Sequence, residues 1–98
     1  MRAIQARRGK IDRIDAELVR LLNQRTRLAI EIARLKRRFG LARYSRGRES
    51  EILEHAMRAS PGPLPAPAVL RLFRQILREM RRAQTPGCRT RRNQENRP

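Results

Sequence analysis

The sequence predicts an all-α protein: three helices per protomer, the first of them very long, paired as an intertwined helical homodimer. Three observations carry that prediction. Apolar residues recur in steps of three and four over long stretches and nowhere alternate as a strand would. Prolines cluster at 61–67, between two periodic runs, with two more only beyond residue 85. The first periodic run is longer than any compact globule of 98 residues.

The first helix is expected from about Gln5 to Phe39. Its apolar positions are Ile11, Ile14, Leu18, Leu21, Leu28, Ile32, Leu35 and Phe39, with one gap at position 25. Gly40 is the expected stop, after Lys36, Arg37 and Arg38 in a last turn where cations suit the helix dipole. A loop over 40–44 leads to Ser45, an N-cap for a second helix over Arg46 to Ala59. The run Ser-Pro-Gly-Pro-Leu-Pro-Ala-Pro (60–67) is a stiff connector. The third helix follows over about Pro67 to Gln84, its apolar face built from Val69, Leu70, Leu72, Phe73, Ile76, Leu77 and Met80. Residues 1–84 thus form one helical domain. Residues 85–98, basic and without apolar periodicity, are expected to be a disordered tail.

The length of the first helix points to a dimer. Thirty-five residues at ~1.5 Å each span about 52 Å. A compact chain of this size has a radius of gyration of about 13 Å, hence a diameter of only some 32–34 Å. The apolar stripe runs along most of the helix, so its overhang needs cover. A second copy of the chain is the simplest cover.

Composition bounds the function. With 25 Lys+Arg against 9 Asp+Glu, the net charge of +16 suggests a polyanionic partner at first sight. Two Phe, one Tyr and no Trp argue against a base-stacking platform. One cysteine, Cys88, allows neither an intrachain disulfide nor a zinc site, in keeping with a reducing compartment. No apolar run approaches the ~20 residues of a membrane span, and the first residues lack a signal peptide's apolar segment. A cytoplasmic location is expected.

The placement of single charges is more telling than their total. In a heptad beginning at Ile11, Arg25 takes an a position between Leu18 and Ile32, in the middle of the apolar seam. A guanidinium there needs an anion: either a structural ion pair that sets register, or the carboxylate or phosphate of a ligand. Lys36 lies about 16 Å further along the helix, close enough to share a small ligand with Arg25. Arg8, about 42 Å from Lys36 on the same helix, can join them only from an antiparallel second copy. Arg48-Glu49 opens the second helix, and Gln84 closes the third on the line of Leu70 and Leu77. There is no metal-ligand spacing, no Gly-rich phosphate loop and no Ser-His-Asp set. The single histidine, His55, is expected to be structural or exposed. Such a chain must act by positioning and fixed charge.

Arg8-x-Lys10-Ile11-x-x-Ile14-Asp15-x-x-Leu18, Leu22-x-x-Arg25, Ala29-x-x-Ile32-x-x-x-Lys36, Arg48-Glu49 and Gln84 together resemble the all-helical (AroQ-class) chorismate mutases. The resemblance covers about residues 5–84 and rests on the joint spacing. It implies a dimer whose long first helices span two shared active sites. It also implies the Claisen rearrangement of chorismate to prephenate in phenylalanine and tyrosine biosynthesis, with no cofactor, no metal and no covalent intermediate. By the same resemblance, Arg25 and the partner copy's Arg8 bind the two substrate carboxylates. Lys36 and Gln84 hold the ether oxygen, Glu49 takes the hydroxyl, and Arg48 organises the pocket. Ile32 and Leu77 match positions that pack on the substrate ring. The sequence departs from the pattern at Ser45, where many relatives have Asp, and at Met80, where some have Ser. Same-fold alternatives are an isochorismate pyruvate lyase and a 4-amino-4-deoxychorismate mutase. A basic nucleic-acid-binding helical protein leaves Arg25 in the seam unexplained, so no nucleic-acid partner is expected.

Overall fold

The computed structural model describes residues 1–43 and 45–85. The described residues form three α-helices and no strand: α1 Arg2–Arg38, α2 Arg46–Ala59 and α3 Ala66–Ala83. The expectation of a disordered tail, Cys88 included, falls outside the described residues except at Thr85.

Local chemistry sets the boundaries. α1 starts at Arg2 rather than Gln5, because residues 2–4 hold no proline, glycine or capping residue to delay it. Gly9 lies within the helix without interrupting it. At the other end Gly40 has φ +67. Its N–H donates to the Arg37 carbonyl at 3.3 Å, while the Leu41 N–H donates to the Lys36 carbonyl at 2.8 Å. This is the paired closure of a Schellman motif, and it needs a residue that tolerates the left-handed region. α2 has the expected limits; the Ser45 Oγ caps it, accepting from the Arg48 N–H at 3.2 Å. α3 begins at Ala66, a residue earlier than expected, with Pro65 at the N-cap and Pro67 in the first turn. It ends at Ala83, leaving Gln84 as the C-cap.

α3 is the common partner of the other two helices. It packs against α2 and against α1, whereas α1 and α2 make no packing contact with each other. The buried side chains are few: Ala33 on α1, Ala56 on α2, and Val69, Leu77 and Met80 on α3. Leu70, Phe73 and Ile76 are half-buried as the α3 face requires, but Leu72 is exposed. Its position, one residue before Phe73, turns it about 100° off the packed face.

α1 turns two different faces to its surroundings. The apolar seam is not covered within a single chain: Ile11, Ile14, Leu18, Leu21, Leu28, Ile32, Leu35 and Phe39 are all exposed, Phe39 at 66%. The face that packs inward is a neighbouring stripe: Arg25, Thr26, Ala29, Ile30, Ala33 and Lys36. Its small side chains let α3 approach, while the large ones turn away. Arg25 thus lies at the edge of the chain's own packed face, beside the open seam. Covering one large apolar side chain contributes up to about 1.5–3 kcal/mol. The open seam is therefore a large unused source of stability. The molecule is thin, 57 × 38 × 16 Å, with a radius of gyration of 16.7 Å. Its long dimension matches α1, at about 55 Å for a helix of that length.

Candidate active site

Because α1 and α2 stand apart with α3 between them, the chain leaves a cleft of about 520 Å³. α1 supplies Arg25, Ile32 and Lys36, with Leu28 and Ala29 beside them. The start of α2 supplies Ser45, Arg48, Glu49 and Ile52. The last turns of α3 supply Leu77, Met80, Arg81 and Gln84. Arg43, in the turn before α2, closes the rim.

Nine of the ten residues expected at the site therefore line one cleft, though they come from three helices and span positions 25–84. The tenth, Arg8, does not line it. It lies seventeen residues before Arg25 on the same straight helix, about 25 Å away, and cannot bend back.

Local structure fixes the polar groups. Lys36 is half-buried, and its own carbonyl takes part in the Schellman closure, so the turn that carries it is pinned. Gln84 is half-buried at the α3 C-cap, its backbone N–H donating to the Met80 carbonyl at 3.1 Å. Arg48 follows Ser45 by three residues and is held by the capping bond through its own N–H. Met80 is buried near the end of α3. Its sulfur meets the Thr26 hydroxyl at 3.3 Å, and that hydroxyl also donates to the Leu22 carbonyl at 2.7 Å. Ser45 faces the cleft, but its oxygen is engaged as the cap.

The electrostatics are uneven. Burial holds the Arg25 guanidinium below its ordinary range, and the nearby Arg48 charge adds to the effect. The side chain stays charged all the same, since a guanidinium titrates far above neutrality. Among the described residues no carboxylate lies within 4.0 Å of Arg25. Arg48 pairs with Glu51 at 3.5 Å, a loose and exposed contact on one helix. Glu49 forms an ion pair with Arg81 of α3. A second hollow of about 550 Å³ lies beside the cleft, lined by Glu51, His55, Arg58 and Phe73 as well as Arg25, Arg48 and Ile52. Arg25, Arg48 and Ile52 border both, so they form the wall between them. His55 is exposed there.

Five cleft residues lay outside the expected set: the apolar Leu28, Ala29 and Ile52, and two cations, Arg43 and Arg81. Arg81 had a signal: it follows Leu77 by four and precedes Gln84 by three, on one stripe of α3. Arg43 lies in a turn, where no period exists to betray it. Its guanidinium donates to the Thr85 Oγ1 at 2.9 Å, tying the turn before α2 to the end of α3.

The arrangement presents five cations, one carboxylate and an amide around an apolar floor. It suits a small, compact anion with an apolar ring. The family model for chorismate mutase type II matches residues 7–85. The bifunctional chorismate mutase/prephenate dehydratase of Neisseria gonorrhoeae is 39% identical over 79 residues, covering 81% of this chain and 21% of that protein. The protein of the same description from Aquifex aeolicus is 36% identical over 81 residues, covering 79% of this chain and 22% of its own length. The chain thus spans about a fifth of the length of these curated relatives. Two structures of the Thermus thermophilus chorismate mutase, form II and form I, superpose with a TM-score of 0.76 at 40% identity. They cover 79% of this chain, and 88% and 96% of the Thermus chains. From α1 to the end of α3, the chain belongs to the chorismate mutase type II family.

Proposed function

We propose that the chain catalyses the rearrangement of chorismate to prephenate, as a homodimer in which each cleft is completed by Arg8 of the second copy. One observation carries the reading above the rest. Arg25 is a half-buried guanidinium, disfavoured by its surroundings and without a carboxylate partner among the described residues, in a cleft that also holds Lys36 and Gln84. Such a group gains most from a ligand carboxylate held bidentately.

The reaction is intramolecular: the ether C–O bond breaks as a C–C bond forms in the same molecule. The protein must hold a flexible dicarboxylate in a compact conformer and stabilise negative charge growing on the ether oxygen. Arg25 takes one carboxylate and Arg8 of the second copy takes the other. Lys36 and Gln84 converge from α1 and α3 on the ether oxygen, Lys36 supplying charge and Gln84 a directed N–H. Glu49 accepts from the ring hydroxyl. Arg48 lines the wall behind it, and Ile32, Leu77 and Met80 supply the apolar floor. The open seam of α1 supports the second copy, because an antiparallel α1 would cover that seam and bring its Arg8 to the mouth of the cleft. Ion pairing of Glu49 with Arg81 favours a hydroxyl over an amine at that corner, so chorismate is preferred to its 4-amino analogue. The catalytic unit is residues 1–84, with 85–98 a basic extension. No helix among the described residues is long and apolar enough to cross a membrane, and the reading puts the enzyme in the cytoplasm.

The test is a product assay. Purified protein mixed with chorismate should consume it and yield prephenate. Release of pyruvate from isochorismate, with no prephenate from chorismate, would overturn the reading in favour of a lyase.

A further inference from the structure

We propose that Arg81 is a positioning and specificity residue of the cleft: it orients the Glu49 carboxylate and offsets its charge, so that this corner accepts a hydroxyl and rejects an ammonium. The proposal rests on the reading of the cleft as a chorismate site, and it adds a residue that the expected set did not contain.

The ion pair between Arg81 and Glu49 joins the last turn of α3 to the first turn of α2, across 32 positions of sequence. It links two helices, whereas the pairs of Arg20, Arg48, Arg58 and Arg82 each lie within a single helix. The Glu49 side chain is only 24% exposed and that of Arg81 46%, so the pair is better shielded than its surface counterparts. Both line the cleft, and Glu49 is the sole carboxylate among its described lining residues. The turn that carries Arg81 is itself tied down, since the Arg43 guanidinium donates to the Thr85 Oγ1 and the Thr85 hydroxyl reaches the Arg81 carbonyl at 3.4 Å.

Two consequences follow from the chemistry of the pair. A carboxylate accepts several hydrogen bonds, so pairing with a guanidinium fixes its direction while leaving capacity for a hydroxyl donor. An ammonium is different, because it must leave water and find negative charge to compensate it. At this corner the carboxylate is already offset by Arg81, and the same cleft is lined by four further cations, Arg25, Lys36, Arg43 and Arg48. A hydroxyl brings no charge and escapes that penalty. Arg81 therefore sets a preference between two substrates that differ only in this substituent.

The experiment measures kcat and KM for chorismate and for 4-amino-4-deoxychorismate with the full chain, Arg81→Met, Arg81→Lys, Glu49→Gln and the Arg81→Met/Glu49→Gln double variant. Where turnover of the amine is too slow, its competitive inhibition constant against chorismate is read instead. Arg81→Met should lower kcat/KM for chorismate about tenfold, the scale of one charge-assisted contact. It should also shift the chorismate-to-amine preference at least about threefold toward the amine, and Arg81→Lys should recover most of that preference. In the Glu49→Gln background the same substitution should leave the preference unchanged, because the partner is gone. The preference compares two substrates on one protein, so a partly unfolded variant does not distort it. An unmoved preference in Arg81→Met, an equal loss for both substrates, or the same shift without Glu49 overturns the proposal. Absence of prephenate from the unsubstituted chain overturns the chorismate reading itself, an outcome distinct from a fully active chain whose preference ignores Arg81.

Discussion

The two halves of α1 carry the same apolar period and have different surroundings. From Arg2 to Gln24 every residue but Gly9 is exposed, large apolar ones included. From Arg25 to Lys36 a stripe of Thr26, Ala29, Ile30 and Ala33 packs inward, with a cation at each end of it. The C-terminal half is built for its own chain, and the cleft lies against it. The N-terminal half offers Ile11, Ile14 and Leu18 to nothing in its own chain. Periodicity in a helix shows that a face will be covered. It does not show by what.

The largest expected effect lies in the C-terminal half. Lys36→Ala should lower kcat by about a thousandfold, the scale of removing a preorganised charge from a developing oxyanion. Its circular dichroism and oligomeric state should remain those of the parent. Near-normal kcat would show that this half contributes packing rather than chemistry.

The second effect breaks the separation of the two halves. Arg8→Ala and Arg25→Ala should each abolish most activity, although only Arg25 lies in its own chain's cleft. Mixing the two under conditions of subunit exchange should restore up to about a quarter of the parent's sites, since half the dimers are then mixed and each has one intact cleft. No recovery despite verified exchange would place Arg8 outside the site.

A third test addresses the N-terminal half directly. On a monomer, Leu18→Asp would be nearly silent, because Leu18 is already 52% exposed. On the proposed dimer it places a charge in a covered seam, and sedimentation should show dissociation with activity falling as the protein is diluted. The smallest effect is local to the cleft rim. Ser45→Ala removes the α2 cap, which is worth about 1 kcal/mol and should lower the melting temperature by several degrees in a chain of this size. Because the cap also fixes the turn bearing Arg48 and Glu49, KM should rise modestly with it.

Much of the fold was legible. The Gly40 stop, the Ser45 cap and the proline connector are local devices, and local devices act where the sequence puts them. Arg8, Arg25, Lys36, Arg48, Glu49 and Gln84 stood out as charges or amides on or beside apolar faces. Arg81 was harder to see, because its role depends on Glu49 thirty-two positions away, and no helical period links the two. Within its own chain, Arg25 borders the stripe that packs on α3 as well as the apolar seam. The heptad pattern describes a seam, but α3 packs where Ala29 and Ala33 let it come close.

The sequence by itself determined the helices, their ends to within a few residues and the spacing of the proposed site residues, because hydrogen bonding within a helix and the chemistry of its ends reach only a few residues along the chain. Only the tertiary structure decided which face of α1 turns inward, that α1 and α2 stand apart to leave a cleft, and that Arg81 meets Glu49 across it. Those outcomes depend on the sizes and charges of side chains brought together from distant positions, and a pattern read along one helix does not contain them.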